Sequence, residues 1–108
     1  MSSRAARSSQ KQISPKRIEL KCEGVAQLLR LMAHPGRLRI LSHLAVSPRT
    51  VTELLDLCGA SQSLTSQFLA RMRSQGLVGC RRQGQHQVYF IADERVAGLL
   101  RSLEALFC

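Results

Sequence analysis

Residues Thr50–Val78 read TVTELLDLCGASQSLTSQFLARMRSQGLV, and caps and breaks alternate along this stretch in an order that defines two short helices. Thr50 followed by Glu53 is a capping box. The hydroxyl and the carboxylate each satisfy a backbone N–H that the first helical turn leaves unpaired. The box predicts a short helix over Val51–Leu57. Gly59 ends it, because glycine takes the left-handed conformation of a helix C-terminus without a steric penalty. Ser61 is the next cap and predicts a helix over 61–74, with Gly76 as its stop. Two short helices joined by a tight glycine-containing turn, Cys58-Gly59-Ala60, form a helix-turn-helix.

Upstream, Ile18–Ala33 carries apolar residues at 18, 25, 28, 29 and 32, a helical spacing. His34-Pro35-Gly36 breaks that helix. Pro35 suits the first turn of a new one, where its missing N–H costs nothing. The new helix runs to about Ala45 with Leu38, Ile40, Leu41 and Leu44 as its apolar face, and Ser47-Pro48-Arg49 reads as a turn. Beyond Gly76 the period shortens to that of a strand. Leu77–Arg82 and Gln87–Ile91 flank Gln83-Gly84-Gln85-His86, a hairpin with a polar tip. Asp93 caps a last helix, Glu94–Phe107, with Val96, Leu99, Leu100, Leu103 and Leu106/Phe107 on one face. Four helices, a two-stranded hairpin and a fifth helix make a mainly α fold with a β-hairpin wing, the winged helix-turn-helix.

The chain has 108 residues, the size of one domain. Sixteen Lys and Arg against seven Asp and Glu leave a net charge of +9. Residues 1–17 contain Arg4, Arg7, Lys11, Lys16 and Arg17 and no acid, and read as a disordered basic arm. Residues 18–108 read as the winged helix-turn-helix domain and keep +4. So basic a chain suits a polyanionic partner. The scarcity of aromatics (Phe68, Tyr89, Phe90 and Phe107, with no Trp) argues against single-strand binding by base stacking. No apolar run is long enough to span a membrane, and the first residues do not form a signal peptide. The expectation is a cytoplasmic protein with reduced thiols.

Duplex DNA is the partner that the helix-turn-helix selects, since its second helix enters the major groove. That helix offers Gln62, Ser63, Thr65, Ser66 and Gln67 in its first turns, side chains that donate to and accept from base edges and phosphates. Leu64, Phe68, Leu69 and Met72 are expected on the buried side. Arg71 and Arg73 come later, where phosphate contact is expected, and the wing adds Arg81, Arg82 and Gln85. Each basic pair alone would be an ordinary solvated face; helix, wing and charge together favour DNA. A non-specific architectural module is the competing reading, and footprinting separates the two. An enzyme would need a convergent nucleophile–base set or paired carboxylates, and the seven acids are scattered. No cofactor is implied. Cys22, Cys58, Cys80 and Cys108 include no Cys-x-x-Cys, which disfavours a zinc finger or ribbon. His34, His43 and His86 lack a ligand partner at i,i+4, so no metal site is expected, and His34 before Pro35 reads as a cap.

The strings LMAHPGRLRIL (Leu31–Leu41), Thr50–Val78, RRQGQHQVYFI (Arg81–Ile91) and LLRSLEALFC (Leu99–Cys108) together resemble the ArsR/SmtB-type repressors of bacteria. The resemblance covers about three quarters of the chain. It implies a homodimeric repressor on an inverted-repeat operator, with the first and last helices paired across the dimer axis. The thiolate metal site of arsenic and cadmium sensors is not matched, since the helix after Thr50 has only Cys58, and a soft metal needs two or three such ligands. The zinc pattern is not matched either: Asp93 is followed by Arg95 where a His is expected, and the last helix has no His. The sulfide- and persulfide-responsive subgroup, which includes regulators of biofilm growth, haemolysin and sulfide oxidation, fits better. It implies a polysulfide or persulfide inducer acting on Cys108, in Leu106-Phe107-Cys108. The partner Cys that the subgroup places in Leu-x-Ile-Leu-Cys is replaced here by Ser42, in Leu38-Arg39-Ile40-Leu41-Ser42. An oxygen cannot form the bridge. Three accounts stay open: an introduced replacement, a natural loss of the switch, or Cys22 pairing with Cys108. A metal-responsive or inducer-less repressor of the same family is the alternative.

Overall fold

Pro15, preceded by Ser14 in extended backbone, opens helix α1 (Pro15–Glu19), as a residue with preset φ does at a first turn. The computed structural model describes residues 12–108, in two compact units that divide between Arg30 and Leu31. The single helix expected over 18–33 is two. The Lys21 N–H turns back to the Ile18 carbonyl at 2.9 Å, a tightened turn that closes α1, and α2 (Cys22–Met32) starts afresh. Residues 1–11 of the expected arm lie outside the described residues, while Pro15–Arg17 are helical. No helix among the described residues is long and apolar enough to cross a membrane.

The second unit runs through α3 (Pro35–Val46), β1 (Arg49–Thr50), α4 (Val51–Cys58), α5 (Gln62–Ser74), β2 (Val78–Gln83), β3 (His86–Ile91) and α6 (Glu94–Phe107). Its helix starts follow the caps read from sequence. His34 Nδ1 accepts from the Gly36 N–H at 2.9 Å. Thr50 and Glu53 form both bonds of the capping box, at 3.2 and 2.8 Å. Ser61 Oγ accepts from the Leu64 N–H, and Asp93 Oδ1 accepts from the Arg95 N–H. Gly59, at φ +67°, ends α4 in the left-handed conformation and turns the chain into α5.

The sheet holds one strand more than the sequence predicts. Arg49, expected in a turn, pairs with Tyr89, and Thr50 pairs with Val88, so the antiparallel order is β1-β3-β2. Two residues are too few to read as a strand from sequence; β3 supplies the backbone partners that define them. In the wing, Gln83 pairs with His86 and leaves Gly84-Gln85 as a two-residue tip. The core of this unit is built from Ile40, Leu41, Leu44, Leu54, Phe68, Leu69, Met72, Leu77, Val78, Val88 and Val96. Gly36 lets α3 approach α5: a Cβ there would sit 2.6 Å from the Phe68 ring.

Two of the caps are ionised groups and make stability depend on pH. The hydrogen bond from the Thr50 backbone N–H holds Glu53 below its ordinary range. The Arg95 side chain, and then its backbone N–H, do the same for Asp93. A carboxylate whose folded pKa is depressed stabilises the fold above its unfolded pKa, and that contribution is lost as pH falls through the folded value. The thermal midpoint should therefore hold from neutral pH to about pH 5 and fall below about pH 4. Circular dichroism melts across this range check it. Asp93→Asn, which keeps a neutral cap, should shrink the acid drop.

Candidate nucleic-acid interface

The N-terminal turns of α5 present Gln62, Ser63, Ser66 and Gln67 to solvent, while Phe68, Leu69 and Met72 are buried. Ser61 caps the helix through the Leu64 N–H, and the Gln62 and Ser63 N–H groups lie at the positive end of the helix dipole. Arg71 is exposed on the later turns. Arg73, also exposed, lies beside Tyr89 of β3. Burial, with Cys80 adding to it, pushes the Tyr89 hydroxyl up, and Arg73 pulls it the other way. On the wing, Arg81 and Arg82 are exposed on β2 and Gln85 at the tip. The guanidinium of Arg81 lies 5.4 Å from the centroid of the Phe90 ring. Among the described residues the one ion pair joins Arg95 to Asp93, so these four arginines have no carboxylate partner.

One expected contact is corrected. Thr65 is fully buried, with no exposed surface, and its hydroxyl has no hydrogen-bond partner. Leu64, expected inside, is 40% exposed. The reason is helical phase. Thr65, Phe68, Leu69 and Met72 fall at i, i+3, i+4 and i+7, one stripe of a helix. Burying Phe68, Leu69 and Met72 gains roughly 1.5–3 kcal/mol each, together more than the unpaired Thr65 hydroxyl costs. Polarity alone misplaces both residues; the stripe in the sequence is the signal that places them. Leu64 thus joins the outward face, where an apolar side chain can meet a thymine methyl.

The thiols separate into two kinds. Cys58 and Cys80 are half-buried: burial pushes the Cys58 thiol up against the opposing charge of Arg39, and Cys80 Sγ donates to Gln87 Oε1 at 3.6 Å. Cys22 and Cys108 are exposed. Ser42 on α3 and Cys108 at the end of α6 line one open groove of about 620 Å³, together with Leu38, Val46, Leu100 and Phe107. The Ser42 hydroxyl is committed to its own helix, donating to the Leu38 carbonyl at 2.7 Å. Among the described residues no three His, Cys, Asp or Glu side chains cluster as metal ligands would.

A helix-turn-helix with a polar, cationic outer helix and a basic wing is the architecture of a DNA-binding transcription regulator. Residues 34–79 match the family described as bacterial regulatory protein, arsR family. The HTH-type transcriptional regulator YgaV of Escherichia coli is 41% identical over 92 residues, 84% of this chain and 93% of that protein. The biofilm growth-associated repressor of Agrobacterium fabrum is 35% identical over 84% of this chain and 78% of its own length. The crystal structure of the transcriptional repressor BigR from Xylella fastidiosa superposes with a TM-score of 0.85 at 30% identity, over 89% of this chain and 98% of that one. The chain belongs to the arsR family of winged helix-turn-helix transcription regulators, which are DNA-binding proteins and not enzymes.

The corrected helix phase is directly testable. Thr65→Val removes a buried hydroxyl without a partner, so thermal stability should hold or rise by about 1 kcal/mol. Fluorescence anisotropy should show DNA affinity within two-fold of the parent. A ten-fold weaker affinity in a folded variant would return Thr65 to the interface.

Proposed function

We propose that this chain is a homodimeric bacterial repressor, acting in the cytoplasm, that reads an inverted-repeat operator through helix 61–74 and wing 81–91. Gln62, Ser63, Ser66 and Gln67 read base edges, with Leu64 beside them, and Arg71, Arg73, Arg81, Arg82 and Gln85 engage the backbone or the adjoining groove. The observation that carries this reading is the joint exposure of an uncharged polar face on α5 and of arginines without carboxylate partners on α5 and β2. Base contacts specify and phosphate contacts position, and the two sets are divided in that way here. The dimer is supported by large apolar side chains left exposed at helix surfaces: Val25 and Leu29 on α2, and Leu106 and Phe107, 76% and 81% exposed, at the end of α6. Surfaces of this kind mark protein interfaces.

DNase footprinting on the DNA adjoining the source gene should protect two half-sites about one helical turn apart. Ser63→Ala and Gln67→Ala should each lower the ratio of operator to scrambled-DNA affinity, by about 1–3 kcal/mol where the side chain reads a base. An unchanged ratio in both variants would remove α5 as the reading helix.

For release from DNA, Cys108 is the thiol we assign to sulfur chemistry. It is exposed, and it opens onto the groove that also holds Ser42. Its thiolate would attack a sulfur of an inorganic polysulfide. The attacked S–S bond breaks, a shortened polysulfide leaves with the electron pair, and Cys108 becomes a persulfide. Ser42 cannot accept the next step, so a bridge would need the other exposed thiol, Cys22. Intact mass after polysulfide treatment separates a sulfur adduct on Cys108 from a disulfide, which lowers the mass by two hydrogens per bridge. Treatment should weaken operator binding in the parent and leave Cys108→Ser unaffected. Weakening that survives Cys108→Ser would exclude this thiol as the sensor.

A further inference from the structure

Arg81 is an exposed cation of the wing, and an arginine side chain on a two-stranded ribbon ordinarily samples many rotamers. Here it does not stand free. Along β2 and β3 the cross-strand partners are Gly79 with Phe90 and Arg81 with Val88. Residues two apart on a strand share a face, so Gly79 and Arg81 lie on the same side of the sheet as Phe90 and Val88. Position 79 is glycine for a visible reason: a Cβ there would stand 2.5 Å from Phe90 Cζ and 2.6 Å from its Cε1. The ring therefore lies across the β2 backbone, over the space a side chain would fill. From that seat it meets the next side chain on the same face, and the Arg81 guanidinium carbon lies over the ring, 5.4 Å from its centroid. Among the described residues no carboxylate pairs with Arg81, which leaves the ring as its one described partner.

We propose that Phe90 is a positioning residue of the DNA interface: seated on Gly79, its ring holds the Arg81 guanidinium in place on the wing before DNA arrives. The proposal rests on the reading of Arg81 as a DNA contact. A cation over an aromatic face keeps its N–H edge free, because the attraction uses the flat face of the guanidinium. That edge is the part that binds a phosphate or a base edge bidentately. Holding the side chain in advance removes part of the ordering cost that binding would otherwise incur. Gly79 and Phe90 thus work as a pair: the absent Cβ at 79 is what allows the ring at 90 to reach Arg81. Neither residue need touch DNA.

The test measures operator affinity by anisotropy over a series of salt concentrations for Arg81→Ala, Phe90→Leu, Phe90→Met, Phe90→Tyr and the double variant Arg81→Ala/Phe90→Leu. Arg81→Ala should weaken binding and reduce the slope of log affinity against log salt by about 0.9, as expected when one phosphate is no longer neutralised. Phe90→Leu and Phe90→Met should weaken binding about three-fold, and Phe90→Tyr, which keeps the ring, should bind like the parent. In the Arg81→Ala background Phe90→Leu should cost nothing more. Thermal melts establish that each variant is folded, and the methionine variant carries the test if the leucine variant is not. Parent-like binding by Arg81→Ala would overturn the wing contact and this proposal with it. A Phe90→Leu penalty of equal size with and without Arg81, or a Phe90→Tyr variant as weak as Phe90→Leu, would overturn the positioning role alone.

Discussion

Burial of one stripe of α5, Thr65-Phe68-Leu69-Met72, is the constraint on which the rest of the second unit depends. A helix has one rotation about its axis to choose. Three large apolar side chains choose it with several kcal/mol in hand, while the local preferences of the polar residues amount to tenths. Once the stripe is inside, Gln62, Ser63, Ser66 and Gln67 are outside together. The same stripe sets the neighbours. Phe68 needs α3 close enough that position 36 is glycine, and its ring then meets His34 at 4.7 Å and the Arg37 guanidinium at 5.3 Å. The cost is modest: one threonine hydroxyl sits inside without a partner.

The wing is fixed by a second, weaker device. β1 is only Arg49 and Thr50, yet it makes β3 a central strand paired on both sides. The residue that starts α4, Thr50, also belongs to the sheet, so the start of the helix-turn-helix and the base of the wing share one backbone position. A two-stranded ribbon alone is marginally stable in water, and the third strand anchors this one. Tyr89, at the centre, stands in register with Arg49 on one side and Cys80 on the other. The sheet thereby connects to the arginine-bearing end of α5 through Arg73.

Much of this is legible in the sequence alone. The capping box at Thr50 and Glu53, the caps at Ser61 and Asp93 and the stops at Gly59 and Gly76 are local devices. Each is complete within four or five residues, so a sequence displays it entire. The helices they bound, and the hairpin, are readable for that reason. Three features are not. The break at Leu20–Lys21 has no glycine or proline to announce it. β1 exists through its pairing with β3, some forty residues away in sequence. The sides taken by Leu64 and Thr65 are set by helical phase against residue type, and phase wins. The groove that joins Ser42 to Cys108 is half legible: the resemblance singles out both positions, but the space between them belongs to the packing of α3 beside α6.

The amino-acid sequence displays the helix-turn-helix, the hairpin and the last helix in their order, most of their boundaries, the basic charge and the family. Those rest on local hydrogen bonds, on backbone preferences and on composition, which do not wait for distant contacts. Packing across the sheet settles that Arg49 is a strand residue and that the Phe90 ring crosses Gly79 to reach Arg81. Each of these depends on what lies across a strand pair, and burial free energy, summed over several side chains, outweighs the preference of any one of them.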